Sequence, residues 1–424
     1  MSALRYICIS AFILLFGYSL TACPKRGYHI VLNLTGNHNG QVVLALETVG
    51  KVVVIDSIPI VKKGRYHFRG TESLTPGQYT FIQNNRLLFR FLISRRQKSK
   101  LQFSAHIEGG KTTEIKAFRN AENEAYFGMQ RFMLDINRTA NLSGADVSMI
   151  DRYTDSIAHQ VPNTLLAIIA GNISKPPLPQ NLFLHDRRVL NTSLLPVRIP
   201  SLFTHIVPAH PEFVIPQIDS ILNLCTDPKV KEWCGKFLLD YFISSDIMGM
   251  ENAAVYVAKK FINGELYHAN QDIINELETY VAFNELSLIG LIAPELSLRD
   301  IDERVVSLSQ IDADYVVLIF FDEDCPICRE EITEIDRLLQ HYQSDDVKVY
   351  AVYTQDRYDA WRKYVATLNP QWIWVWDHDF SSGFHKLYGV TGTPSVYLLD
   401  RNKTIIGRRI DAHVLKQILS YLID

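Results

Sequence analysis

The chain has 424 residues, 47% of them apolar and 21% charged, with a formal net charge of −3. That composition excludes extensive disorder, and the length exceeds one ordinary domain. Charge is uneven: residues 24–111 hold 14 basic against 4 acidic side chains, whereas residues 297–424 hold 14 against 21.

The chain opens with Arg5 and an apolar run from Tyr6 to about Tyr18, followed by Leu20, Thr21, Ala22 and Cys23. The run is short for a bilayer span and has the length of a secretory signal. Leu20 to Cys23 resembles the bacterial lipobox. The resemblance implies a signal peptide over 1–22, lipid on Cys23, and a cell-envelope protein anchored in the inner or outer membrane and facing the periplasm. An ordinary cleaved signal or an uncleaved anchor is the alternative. Short alternating runs follow from Tyr28 to about Ile107, broken by Gly36, Asn39-Gly40, Gly64 and Pro76-Gly77. They predict an all-β sandwich over 23–112. It resembles the N-terminal β-domain of Bacteroidota lipoproteins that carry a thioredoxin domain, in Asp56-Ser57 and in Gly64 to Gly70. Its basic side chains, Lys62, Lys63, Arg86 and Arg90 among them, read either as an anionic-membrane contact or as a solvated face. There is no nucleic-acid signature.

From about Asn120 to Leu288 the apolar period becomes helical, with segments at 121–136, 145–160, 164–173, 211–224, 228–242, 251–261 and 271–282. Pro176, Pro177 and Pro179 interrupt them. This predicts an α-helical middle domain over 113–288, similar to the one that precedes thioredoxin modules in the same lipoproteins; the likeness implies no activity. His185 and His210 lack a paired ligand at useful spacing, so no metal site is expected. Cys225 and Cys234 form a disulfide or are two buried small side chains.

The last segment, 289–424, carries the chemistry. Tyr315 to Phe321 is β-branched and aromatic and reads as a buried strand, with a turn at Asp322, Glu323 and Asp324. Cys325-Pro326-Ile327-Cys328 then opens a segment whose Ile332, Ile335, Leu338, Leu339 and Tyr342 recur at helical spacing. A thiol at a helix start is favoured as the attacking anion, and a second cysteine one turn on can close a ring with it. Further along, Tyr388 to Asp400 contains Thr393-Pro394 ahead of another strand. A strand from Thr404 to Ile410 and a helix from Val414 to Ile423 end the chain. Trp372, Trp374 and Trp376 read as sheet packing.

This order, with the opening at Gly290 to Pro294, resembles the TlpA/ResA-type thioredoxin-like thiol-disulfide oxidoreductases. The resemblance implies that the proline matching Pro394 is cis and lies against the cysteine pair. It also implies that Cys325 attacks a partner disulfide, that Cys328 resolves it, and that Thr393, Pro394, Pro326 and Ile327 bind the partner chain. No cofactor is expected beyond the Cys325–Cys328 disulfide; the partners are exported protein thiols or disulfides and an upstream redox donor protein. Two positions depart from the pattern: Ile319 stands where thioredoxins bury an Asp, and Asp324 where a Trp precedes the first cysteine. Proton handling then falls to water or to a carboxylate such as Glu323. Carboxylates around the pair oppose the thiolate, so a reductase or isomerase is expected rather than a strong oxidant. A peroxiredoxin-type peroxidase is disfavoured, because Asp322 occupies the place of its usual Thr. The competing expectation is a redox-inactive lipoprotein that binds a glycan, peptide or protein and keeps a vestigial thioredoxin domain.

Overall fold

The computed structural model describes residues 27–423 except 37–38, 96–99, 137–143, 174, 267–269 and 343–345. Cys23 and the expected signal peptide over 1–22 lie outside the described residues. The chain divides into two compact units between Ala170 and Gly171.

Among the described residues of the first unit, eight strands form two four-stranded sheets. They are β1 (Tyr28–Gly36), β2 (Val42–Thr48), β3 (Lys51–Ile58), β4 (Arg65–Gly70), β5 (Gly77–Gln83), β6 (Arg86–Ile93), β7 (Leu101–Glu108) and β8 (Lys111–Ala117), ordered β4-β1-β7-β8 and β3-β2-β5-β6. Alternation decides which side faces in: along β7, Leu101, Phe103, Ala105 and Ile107 are buried while Gln102, Ser104 and His106 are not. The inward rings of Phe81, Phe89, Phe91 and Phe103 pack together, with the Phe91 and Phe103 centroids 4.6 Å apart. β8 carries the β region to Ala117, past the expected boundary at 112. Its sequence is polar and mostly exposed, as an edge strand permits, so no apolar alternation announced it.

The helices α1 (Ala121–Ile136), α2 (Gly144–Gln160) and most of α3 (Leu165–Ile173) belong to this first unit rather than to a separate middle domain. Asn123, fully buried on α1, explains part of this: its side chain bonds both the N–H and the carbonyl of Leu92 on β6, at 2.7 and 2.9 Å. A buried amide that completes a strand edge ties the helix to the sheet.

In the second unit, helices α4 (Leu195–His205), α5 (Pro211–Leu224), α6 (Pro228–Ile243), α7 (Met250–Ile262) and α8 (Gln271–Asn284) precede a seven-stranded mixed sheet. Its strands are β9 (Ser297–Asp300), β10 (Val305–Ser307), β11 (Tyr315–Phe321), β12 (Val347–Tyr353), β13 (Ile373–Trp376), β14 (Ser395–Asp400) and β15 (Ile405–Arg408), ordered β10-β9-β13-β12-β11-β14-β15. β11, β12 and β13 run parallel, and β14 lies antiparallel to β11. The sheet is thioredoxin-like. Helices α9 (Pro326–Leu339), α10 (Tyr358–Val365) and α12 (Ala412–Ile423) cover one face, and α11 (Phe384–Leu387) lies on the other. β11 is buried on both faces: Val317, Ile319 and Phe321 pack under α9, while Val316, Leu318 and Phe320 pack the other way. That is why its sequence is a continuous apolar run. The three tryptophans pack in this sheet as read, with Trp372 and Trp374 stacked at 5.1 Å.

Gly389 starts the loop that leads to Thr393. Its φ is +61°, and a Cβ there would sit 2.1 Å from the Phe283 carbonyl oxygen and 2.9 Å from Arg409 Nη2. Gly389→Ala is therefore expected to lower the unfolding free energy by about 2 kcal/mol, read as a lower urea midpoint with an unchanged slope.

Candidate active site

β11 ends at Phe321 and the chain turns through Asp322, Glu323 and Asp324. The Asp324 N–H bonds Asp322 Oδ1 at 2.9 Å, and the Cys325 N–H bonds the Asp322 carbonyl at 3.3 Å. Cys325 is the N-cap of α9, with extended φ and ψ of −79° and 112°, and Pro326 follows in the first helical turn, where its missing N–H costs nothing. In place of a capping oxygen, the Cys325 sulfur accepts the Cys328 backbone N–H at 3.1 Å. An N-cap acceptor gains from the unpaired amides and dipole of the helix start.

Cys328 is fully buried in the core beneath α9, beside Ile319 and Ile332, while Cys325 is half-buried and Ile327 is 64% exposed. Burial, then the Cys325 sulfur beside it, pushes the Cys328 thiol up to about 12. The two thiols thus have different surroundings, one accessible and one shielded. From the far side of the sheet the loop before β14 brings Thr393, whose carbonyl accepts from Cys325 Sγ at 3.5 Å across 68 residues of chain. The Thr393–Pro394 bond is cis, and both residues are half-buried. Cys325, Cys328, Thr393 and Pro394 are brought together; Pro326 and Ile327 lie on the exposed rim.

Two features of the site carried no signal in the sequence. Arg357, at the start of α10, reaches the acidic turn: its guanidinium lies 3.3 Å from Asp322 Oδ1, 3.1 Å from Glu323 Oε1, and against Asp324. Glu323 is only 8% exposed and also neighbours the Tyr353 hydroxyl, whose ionisation is pushed up by burial and then by that carboxylate. On the other flank a groove of about 780 Å³ starts at Ile327 and runs between α9 and α12, with Glu331 in its wall. Burial raises the Glu331 carboxyl above its ordinary range, and Asp411, Glu334 and Glu330 add to it, against an opposing bond from Ala412.

Residues 289–408 match the model of the AhpC/TSA family. That segment is an AhpC/TSA domain. Among solved structures, the chain is similar to a domain of a possible thiol-disulfide isomerase from Cytophaga hutchinsonii, with 29% identity, coverage of 32% of this chain and 92% of that one, and a TM-score of 0.30. It is also similar to the thioredoxin domain of a thiol-disulfide oxidoreductase from Bacteroides vulgatus, at 22% identity, 32% and 98% coverage and a TM-score of 0.30. A thioredoxin-like protein from Bacteroides caccae covers more, 67% of this chain and 95% of its own, at 17% identity and a TM-score of 0.41. No protein of curated function matches the chain.

The AhpC/TSA domain contains all of the cysteine site. Cys225 and Cys234 lie outside it, both buried and not joined in a disulfide. Cys234 rests against Cys225, and that contact together with burial raises its thiol well above the ordinary value. His210, expected to ligate nothing, caps α5 by accepting the Glu212 N–H at 3.4 Å. Among the described residues no group of three or more His, Cys, Asp or Glu is placed to hold a metal ion, and no helix is long and apolar enough to cross a membrane.

Proposed function

We propose that the chain is a thiol-disulfide oxidoreductase that exchanges disulfides with exported proteins through Cys325 and Cys328. The observation that carries this reading is the Cys325 sulfur itself, held at the start of α9 by the Cys328 N–H and facing the Thr393 carbonyl before cis-Pro394. A thiolate at Cys325 attacks one sulfur of a partner disulfide; that S–S bond breaks, a mixed disulfide forms, and the released partner sulfur takes a proton. Cys328 then gives up its proton and attacks the Cys325 sulfur, which expels the second partner thiol and leaves a Cys325–Cys328 disulfide. The partner gains two electrons and two protons, and a redox donor protein must supply the next pair. Thr393 offers backbone to an extended partner segment, with Pro394, Pro326 and Ile327 around it.

The location belongs to the same proposal: lipid on Cys23 tethers the chain in the cell envelope, facing the periplasm, with the β and helical segments preceding the redox domain at 289–424. Its support is the N-terminal sequence alone. The acidic turn supports a reductase or isomerase over a strong oxidant.

Insulin reduction tests the reading. The wild-type chain is expected to precipitate insulin B chain in the presence of a dithiol, and Cys325→Ala and Cys328→Ala to lose that activity. An inactive wild type leaves the binding-protein alternative. A second expected outcome concerns pH. Because burial holds the proton that Cys328 must lose, release of a preformed mixed disulfide should accelerate as pH rises through the neutral and alkaline range. Rapid-quench release of a labelled thiol from Cys325 checks it, and a pH-independent release contradicts it.

A further inference from the structure

Resting on the thiol–disulfide reading, we infer that Arg357 is a positioning residue that sets the reactivity of Cys325 by offsetting part of the negative charge of the acidic turn in front of it. The sequence places three consecutive carboxylates, Asp322, Glu323 and Asp324, directly before the attacking sulfur, an arrangement that works against an anion at Cys325. One guanidinium answers all three, at 3.3 Å from Asp322, 3.1 Å from Glu323 and in contact with Asp324. Glu323 is 8% exposed, so its charge is poorly screened and its partner matters more than that of a surface carboxylate. Arg357 comes from the loop after β12, so this contact also joins the turn to a second element of the sheet. The fork of a guanidinium suits such a role better than a point charge does. The position that the TlpA/ResA pattern fills with Trp is here filled by Asp324 in an ion pair.

Beside these, Cys328 neighbours Cys325, and Tyr364 on α10 lies within electrostatic reach of both thiols and of Arg329. None of them touches the three carboxylates as Arg357 does among the described residues.

The test is the rate at which iodoacetamide alkylates Cys325 in the reduced full chain, read by peptide mass spectrometry across pH. Arg357→Gln should slow alkylation at pH 7 by about three- to tenfold, because a cation is lost near the attacking sulfur. The effect should shrink in 1 M salt, where charges are screened over about 3 Å. Arg357→Lys should retain most of the rate. The decisive variant combines Arg357→Gln with Asp322→Asn, Glu323→Gln and Asp324→Asn. A charge role returns its rate to the wild-type value or above; a merely structural clamp leaves it as slow as Arg357→Gln, which would overturn the inference, as would overlapping profiles. Alkylation needs no partner protein. A wild type that fails to reduce insulin while Arg357→Gln alkylates slowly therefore refutes the function and spares this inference, and the converse separates them equally.

Discussion

Cys328→Ala is expected to stop the chain at a covalent adduct with its partner, visible as a reducible band of higher mass, while Cys325→Ala forms no adduct and brings exchange to the uncatalysed rate. The asymmetry follows from the site. Cys325 is reachable, sits at a helix start and accepts an amide N–H. Cys328 is sealed in the core and holds its proton up to about 12. A disulfide partner meets the first sulfur and cannot meet the second, so the mixed disulfide forms at Cys325 and only Cys328 can clear it. Equal adducts from both variants would show that the two sulfurs are interchangeable. The same trapped adducts, recovered from the envelope, would also name the substrates.

Glu251→Ala should destabilise the second unit by about 3–5 kcal/mol, although Glu251 lies far along the chain from the cysteines. Arg408, at the end of β15, has a side chain with no exposure; its Nη1 lies 3.0 Å from Glu251 Oε1 on α7, and its Nη2 bonds Asn284 Oδ1 at 2.8 Å. Arg409 bonds the same Asn284 oxygen at 3.3 Å and the Gly389 carbonyl at 2.9 Å. These contacts fasten α7 and α8 to the sheet. Removing the carboxylate leaves a buried guanidinium with too few acceptors, and desolvation already lowers its affinity for the proton. Replacing both partners, Glu251→Leu with Arg408→Met, should recover most of the loss, because an apolar pair of similar volume carries no charge to desolvate. Urea midpoints of the two variants decide it; a double variant as unstable as the single one would show that the pair contributes more than charge neutralisation.

What could be read from the sequence was what leaves a period or a spacing. β11 announced itself as an unbroken apolar run, since both its faces are covered, and α9 as a ladder from Ile332 to Leu339 behind two cysteines. The helices at 121–136, 211–224 and 271–284 kept their apolar stripes, and Pro211 and Pro228 marked two starts where a proline costs nothing. α4, with Pro196 in its first turn and Pro200 inside it, was not among the expected segments. β9 and β10 were missed because each is short and half polar; β10 is the edge strand and β9 lies between it and β13. Within the site, the cysteines were legible through their spacing, and Thr393 and Pro394 through the resemblance to the TlpA/ResA-type proteins. Arg357 was not, because an ion pair spanning 33 residues of chain leaves no local pattern. For the same reason Glu323 could be named as a carboxylate near the pair but not as a buried one.

Equilibration of the chain in graded thiol-disulfide buffers, followed by alkylation and mass spectrometry of Cys325 and Cys328, bears most directly on the central claim. The account predicts that both thiols disappear together in one two-electron step, with a midpoint clearly more negative than about −120 mV, the value of a strong periplasmic oxidant. Cysteines that remain separately alkylatable at every poise would contradict it.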